Sequence, residues 1–472
     1  MAICVEHRRA LRSGVALACS LVGFLVTNGS IYPAIALVSP LIREAATVVG
    51  IMAVGLIAFT SYRIPRLLRP RILDGLTALF LIAYFACDTM GLSLRNGVLM
   101  LVGSVADSLA EAWLFVVAYG AFTQVSERLR PITALLSCLV AFLLQPFAEA
   151  LEPICAVGVN VACFVCLALC ARPLVDDAFA KVAESDPQAE MAVANPLSFL
   201  PANHLLFIAV FVFSVAQGLS LALPGPFNEA PALPLSFVPL VVVLVVYGVR
   251  GMPSADGLFS FCALLIIAGM FLQPSDRLVS QSFASLSNTF IDAGASCFNL
   301  VIIQLVGGIV ARNRLTVVTA PAMILCLCWF GILVGAVTGN GAMMVLGWTE
   351  SALVWLSWLA AMSFIVFCFV TLKGFSFSDT VSKIQVPLLA EAPEAAAATL
   401  EERCAAVSAE YGLTPRESEV FVLLAQGRTV GVIREKLVIS LNTARFHTKN
   451  IYVKLGVHSQ QELIDLVESF EV

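Results

Sequence analysis

Two pairs of charged residues, each spaced four apart, have the types and spacing to do chemistry. Arg445 and Lys449 lie in the stretch Leu441 to Leu455, which also holds Lys454 and contains no acidic residue. A spacing of four puts both side chains on one helix face, and each can hydrogen-bond guanine edges in the major groove. Asp107 and Glu111 repeat the spacing inside an apolar run, with Ser104 and Ser108 on the same face. Carboxylates in such a run are expensive and mark an ion path, a ligand site or a polar contact. A third polar face, Asn288, Asp292 and Asn299, recurs at +4 and +7. It is expected to line a central cavity opposite Asp107 and Glu111, or to serve helix packing through polar and small residues. Asp107, Glu111, Asp292 and Asn288 are therefore the candidate ligand or ion site. Cys163 and Cys166 have a metal-like spacing, but no His or carboxylate lies beside them, and Cys packs as a small hydrophobe. No metal and no cofactor is expected.

The elements that must position these residues follow from composition. The chain has 472 residues, of which 60% are hydrophobic and 12% charged. No soluble fold buries that much apolar surface, so an all-α polytopic membrane protein is implied. The charge is unevenly spread, since 18 charged residues fall in positions 401–472. That density is ordinary for a soluble domain. The expected division is a membrane domain over 1–372, a linker and connecting helix over 373–410, and a small soluble domain over 411–472.

Twelve apolar runs are long enough to read as spans. They lie near 14–37, 45–62, 72–92, 97–122, 132–150 and 153–171, then 204–223, 234–249, 257–273, 281–310, 316–338 and 344–372. A polar loop, 172–203, separates the two sets of six. The N-terminus reads as an uncleaved first span rather than a signal peptide. With both termini cytoplasmic, 16 of the 19 basic residues before position 400 fall on the cytoplasmic side. Such a bias is the positive-inside rule at work. It places a multi-pass protein in the inner (cytoplasmic) membrane. Six spans, a cytoplasmic loop and six spans resembles the major facilitator architecture in organisation. The loop from Ser61 to Arg71 carries that family's positive charge but no acidic partner. Residues 373–393 read as a flexible linker. Leu400, Cys404, Val407 and Tyr411 then form an apolar stripe that could pack on the following domain or on a second copy. A coil over 373–410 would reach about 35 Å.

The C-terminal segment is the most specific signal. Thr414, Pro415 and Glu417 open a helix as N-cap, N1 residue and capping box. Val420, Phe421, Leu423 and Leu424 give its buried face, and Gly427 ends it. Thr429 caps a second helix reaching Leu437, Ser440 caps a third from Leu441 to Leu455, and Ser459 caps a fourth. Two helices joined by a tight turn, the second of them basic, form a helix-turn-helix. Leu413 to Glu417, Leu424 to Gly427, Ile439-Ser440, Asn442-Thr443, His447, Asn450 to Tyr452 and Lys454 to Val457 closely resemble the LuxR-type (NarL/FixJ-like) DNA-binding domain. The resemblance implies that the third helix is the recognition helix, with Arg445, Phe446 and Lys449 facing bases. It implies that Asn442, Thr443, His447 and Lys454 sit near phosphates or hold the helix in place, and that the fourth helix forms a dimer contact. Gly431, inside the second helix, should cost about 1 kcal/mol relative to Ala.

The function expected is a membrane-bound LuxR-family transcriptional regulator. Its membrane domain would sense a small molecule or a membrane signal and pass it to a cytoplasmic domain on double-stranded DNA. The alternative is a major-facilitator-like secondary transporter with a regulatory DNA-binding tail. An enzyme is not expected, because no Walker loop, nucleophile elbow or zinc-binding helix motif is present. The expected partners are DNA, the lipid bilayer, a small-molecule ligand and a second copy of the chain.

Overall fold

The computed structural model describes residues 2–39, 41–184, 204–222, 235–251, 253–272, 281–347, 349–371, 373, 375–384, 403–457 and 459–469. These form two compact units, one ending at Ile384 and one made of the residues from 403 onward. All regular structure among the described residues is helical.

The first unit begins with α1 (Ala2–Val26), which runs through a single π-helical turn, Thr27–Ile31, into Tyr32–Ala36. Then come α2 (Ile42–Arg63), α3 (Pro70–Leu94), α4 (Gly97–Thr123), α5 (Arg130–Glu149) and α6 (Pro153–Glu184). The second half holds α7 (Leu205–Ala222), α8 (Val238–Arg250), α9 (Ala255–Leu272), α10 (Gln281–Arg312), α11 (Thr319–Leu346) and α12 (Glu350–Val366). Ten helices among the described residues are long and apolar enough to cross a membrane, not the twelve expected. The other two expected spans are present as the shorter apolar helices α7 and α8. With 13 residues, α8 is about 20 Å long, short of a bilayer core of about 30 Å. Gly251, at φ 85°, ends it.

The segment after α5 also differs from expectation. Helix α6 continues to Glu184, so the first part of the expected loop 172–203 is helical. The reason is an apolar stripe that outlasts the membrane-like run: Val175, Phe179 and Val182 are fully buried. Arg172 on this extension donates through Nε to Asp74 Oδ2 at 2.5 Å, and Trp113 Nε1 donates to Asp74 Oδ1 at 2.8 Å. Asp74 thus ties α3 to α4 and to the extension of α6.

Close approach of backbones sets the packing of the second half. A Cβ added at Gly335 of α11 would lie 2.2 Å from the Val215 carbonyl oxygen of α7. One added at Gly218 of α7 would lie 2.1 Å from the Ile332 oxygen. Small residues permit such contact where no hydrophobic force drives helices together in lipid. After α12, residues 375–384 do not start a free linker. Helix α13 (Phe377–Ser382) is seated on the bundle, with Ser376 Oγ and the Phe377 N–H donating to Asp256 of α9 at 2.9 and 2.6 Å. Val381 fills the space above Gly308 of α10. Replacing Gly335 by Leu should abolish the monodisperse peak of the detergent-extracted protein on size-exclusion chromatography. Gly75→Ala, at a position with nothing within 4 Å of the added carbon, should leave the peak intact.

Candidate functional site

In the second unit a helix over 403–410 precedes α14 (Pro415–Ala425), α15 (Val430–Leu437), α16 (Leu441–Leu455) and α17 (Gln460–Ser469). Val420, Phe421, Leu424, Ile433, Ala444, Ile451, Leu463 and Val467 meet in one core. Cys404 and Val407 are buried in it, and Tyr411 packs against it. Of the two alternatives for the stripe, the chain's own domain receives these three residues; Leu400 lies outside the described residues. Gly412, Gly427 and Gly456 all have positive φ, as helix stops require.

The caps orient α16. Thr414 and Glu417 form a complete capping box, the Thr414 N–H donating to Glu417 Oε2 at 2.8 Å. Ser440 Oγ accepts from the Thr443 N–H at 3.1 Å. Arg416 Nη2 donates to the Leu437 carbonyl at 3.1 Å, and Gln460 Nε2 to the Leu424 and Arg428 carbonyls at 3.0 Å each. The ends of α14 and α15 are thereby tied by side chains from other helices.

On α16, Asn442, Arg445, Phe446, Lys449 and Val453 are all exposed and lie on one side. Phe446 is 62% exposed, which is high for an aromatic residue of a small folded domain. Arginine and lysine on such a face can read guanine, and an aromatic ring can contact a thymine methyl. Thr443 is engaged at the N-cap through its N–H and a 2.7 Å hydroxyl contact with Ser440. His447 is half-buried, its ring edge-on to Phe446. Lys454 is exposed but folds back on its own domain: its Nζ donates to Glu417 Oε2 at 2.7 Å and to the Gly412 carbonyl at 3.0 Å. The Lys454 ammonium and the Thr414 N–H hold the Glu417 carboxyl down at about 2, against an ordinary 4.5.

The membrane unit separates the four candidate residues into two places. Asp107 and Glu111 of α4 are buried, as is Asp88 of α3, which abuts Gly103 one turn before Asp107. Tyr32 and Tyr84 are within electrostatic reach of Asp107 and Glu111. Asn160 of α6 donates to Thr27 Oγ1 at 2.7 Å and to the Tyr84 hydroxyl at 3.1 Å. Asp292 of α10 belongs elsewhere, accepting from Gln145 Nε2 of α5 at 3.1 Å. Gln145 also donates to Glu149 at 2.8 Å and accepts from Ser236 at 2.9 Å. Asn288 lies one turn before Asp292 on α10 and is half-buried. Asn299 turns back to its own helix, donating to the Ala295 carbonyl. Neither Asp292 nor Asn299 thus belongs to the cluster on α4. Tyr32, Tyr84 and Asn160 went unmarked in the sequence, although an Asn in so apolar a span as α6 is itself a signal.

Residues 412–467 match the family described as bacterial regulatory proteins, luxR family. Over 61 residues the chain is 43% identical to the spore germination protein GerE of Bacillus subtilis, covering 82% of that protein and 13% of this chain. This chain belongs to the luxR family. Its helix-turn-helix is a DNA-binding domain of that family, carried here on a multi-pass membrane unit. The same segment is 43% identical over 65 residues to the uncharacterized response regulatory protein YgeK of Escherichia coli, and 43% over 60 residues to the Fimbriae Z protein of Salmonella typhimurium. The chain spans 44% and 29% of those two proteins and matches each over 13% of its own length. The membrane unit is similar in fold to the major facilitator proton:xylose symporter XylE, with a TM-score of 0.53 and 10% identity over 80% of this chain and 98% of that one. It is also similar to the human organic anion transporter MFSD10, with a TM-score of 0.51 and 12% identity over 76% of this chain and 99% of that one. At such identities the likeness is one of fold alone.

The luxR domain makes two predictions. Val438, in the turn before α16, has φ 52° and is 89% exposed. A left-handed conformation costs a β-branched residue about 1–2 kcal/mol. Val438→Gly should therefore raise the melting temperature of the segment from 403 to the C-terminus without weakening its DNA binding. Glu417 has a depressed pKa in the folded state, so its stabilisation is complete above about 4.5 and is lost as pH falls toward about 2. Denaturant titrations across that window should show the loss in the wild type, and Glu417→Gln should flatten it.

Proposed function

We propose that this protein is a membrane-bound transcriptional regulator, whose membrane unit senses a small molecule or membrane signal and controls a DNA-binding domain in the cytoplasm. The observation that carries the reading is the pairing, in one chain, of a luxR domain with an exposed Arg445, Phe446 and Lys449 face and a multi-pass helical unit. The basic residues clustered in alternate loops favour cytoplasmic termini in the inner membrane. Homodimerisation through α17 would raise the affinity of a domain with few base contacts.

The route from sensor to DNA-binding domain would pass through α13. Val381 of α13 lies over Gly308, and the adjoining Gly307 carbonyl accepts from Arg130 Nη1 of α5 at 3.2 Å. Arg130 also serves the Thr123 and Val125 carbonyls at the end of α4. Movement of one six-helix half against the other would shift the Gly307–Gly308 seat, and with it the segment leading to the luxR domain. A ligand could drive that movement only by binding the two arrangements with different affinity.

Chromosomal occupancy of the full-length protein tests the reading, beside an Arg445→Ala/Lys449→Ala variant. Each good base contact contributes about 1–3 kcal/mol, so the wild type should occupy discrete sites and the double variant should lose them. Absence of specific sites in the wild type defeats the proposal. The major-facilitator-like fold favours transport as the second reading. Solute flux by proteoliposomes of the tail-deleted protein, with no occupancy by the full chain, would establish it instead.

A further inference from the structure

The membrane unit contains a cavity that the DNA-binding argument does not use. It lies among α1, α2, α4 and α11, so it joins the two six-helix halves. About 70 Å3 is open to the centre of a water-sized sphere, and a single water needs only about 10–15 Å3 on that measure. Phe24, Tyr32 and Trp329 supply aromatic walls, and Ile332 and Leu333 an aliphatic one. The π-helical turn at Thr27–Ile31 opens onto it, since Thr27 and Asn28 are lining residues. Such turns occur often at functional sites.

The polar end of the cavity is acidic. Glu111 lines it, is 7% exposed, and has an Oε1 with no hydrogen-bond partner. Glu44 also lines it, and its buried Oε2 is likewise unpartnered. Behind Glu111 on the same helix face, Ser104 Oγ and Asp107 Oδ1 are buried without a partner, and both Asp88 oxygens are too. No ion pair among the described residues involves Asp88, Asp107 or Glu111. Among the described residues Arg43 is the one cation that lines the cavity, and it is exposed to solvent beside Glu44. A buried carboxyl group without a partner either keeps its proton or takes up a cation. Aromatic faces stabilise a cation lying over them, most of all when it is desolvated.

We propose that this cavity binds a small organic ammonium ion with an apolar or aromatic body. The ammonium group meets Glu111, and the body lies between Phe24, Tyr32 and Trp329. This names the ligand class for the sensing site and rests on the regulator reading above. Because Trp329 belongs to the second half and Glu111 to the first, an occupied cavity bridges the halves that Arg130 also joins.

The test is calorimetric titration of the full-length protein in lipid nanodiscs with 2-phenylethylammonium. The neutral 2-phenylethanol and the anionic 3-phenylpropionate serve as controls. Saturable binding of the ammonium is expected, with at least about tenfold weaker binding of both controls. Glu111→Gln and Trp329→Ala should each weaken it by about tenfold or more. Asp292→Asn, outside the cavity, should leave it unchanged and shows that altering a buried carboxylate does not unfold the unit. No saturable binding of the ammonium, equal binding of the alcohol, or full binding by folded Glu111→Gln would each overturn the proposal. Binding is read without DNA, so loss of the regulator reading leaves this result standing. Chromosomal occupancy with no ammonium binding would retire the ligand class alone.

Discussion

A backbone amide carried into hydrocarbon must find its partner inside its own helix, because no water is there to accept it. The rest of the membrane unit follows from that constraint. Hydroxyls within the helices obey it too, for Ser20, Thr60, Ser137 and Ser214 all donate to carbonyls three or four residues back. Where polar groups are so occupied, helices recognise each other by shape, and backbones approach closely where Gly218 and Gly335 join α7 to α11. Arg130 stands where the rule lapses. The last carbonyls of α4 have no donors further along their helix, and the guanidinium that serves them also reaches Gly307 across the bundle.

The two units answer the problem of stability differently. The membrane unit has an extensive apolar interior that needs few polar ties. The luxR domain has a small core, and polar side chains fasten its helix ends: Arg416 on α15, Gln460 on α14, and Lys454 on the capping box of α14. Small domains bury a lower share of their surface, so such ties weigh more in them.

Local signals were readable in the sequence, and long-range geometry was not. The capping box at Thr414 and Glu417, the glycine stops and the Ser440 cap were all legible because each depends on neighbours within four residues. The positions of the apolar helices were legible from composition. Which faces of those helices meet was not. The spacing of Asp292 and Asn288 suggested a shared cavity with Asp107 and Glu111, yet the rotation of α10 turns Asp292 toward Gln145 on α5. Similarly, Asp74 and Arg172 are 98 positions apart, and no local rule pairs them. The seat of α13 depends on Asp256, more than a hundred residues away. The extension of α6 beyond 171 could have been seen, since Val175, Phe179 and Val182 follow a helical period.

Lys454 gives α16 one further property. Its ammonium is spent on Glu417 and Gly412, which leaves Arg445 and Lys449 as the cations of that helix turned outward. Each phosphate neutralised by a protein cation frees condensed counterions, and that entropy drives adhesion to random sequence. A helix with two outward charges frees few of them. It would grip arbitrary DNA weakly, leave it quickly, and spend its search in brief encounters rather than long slides.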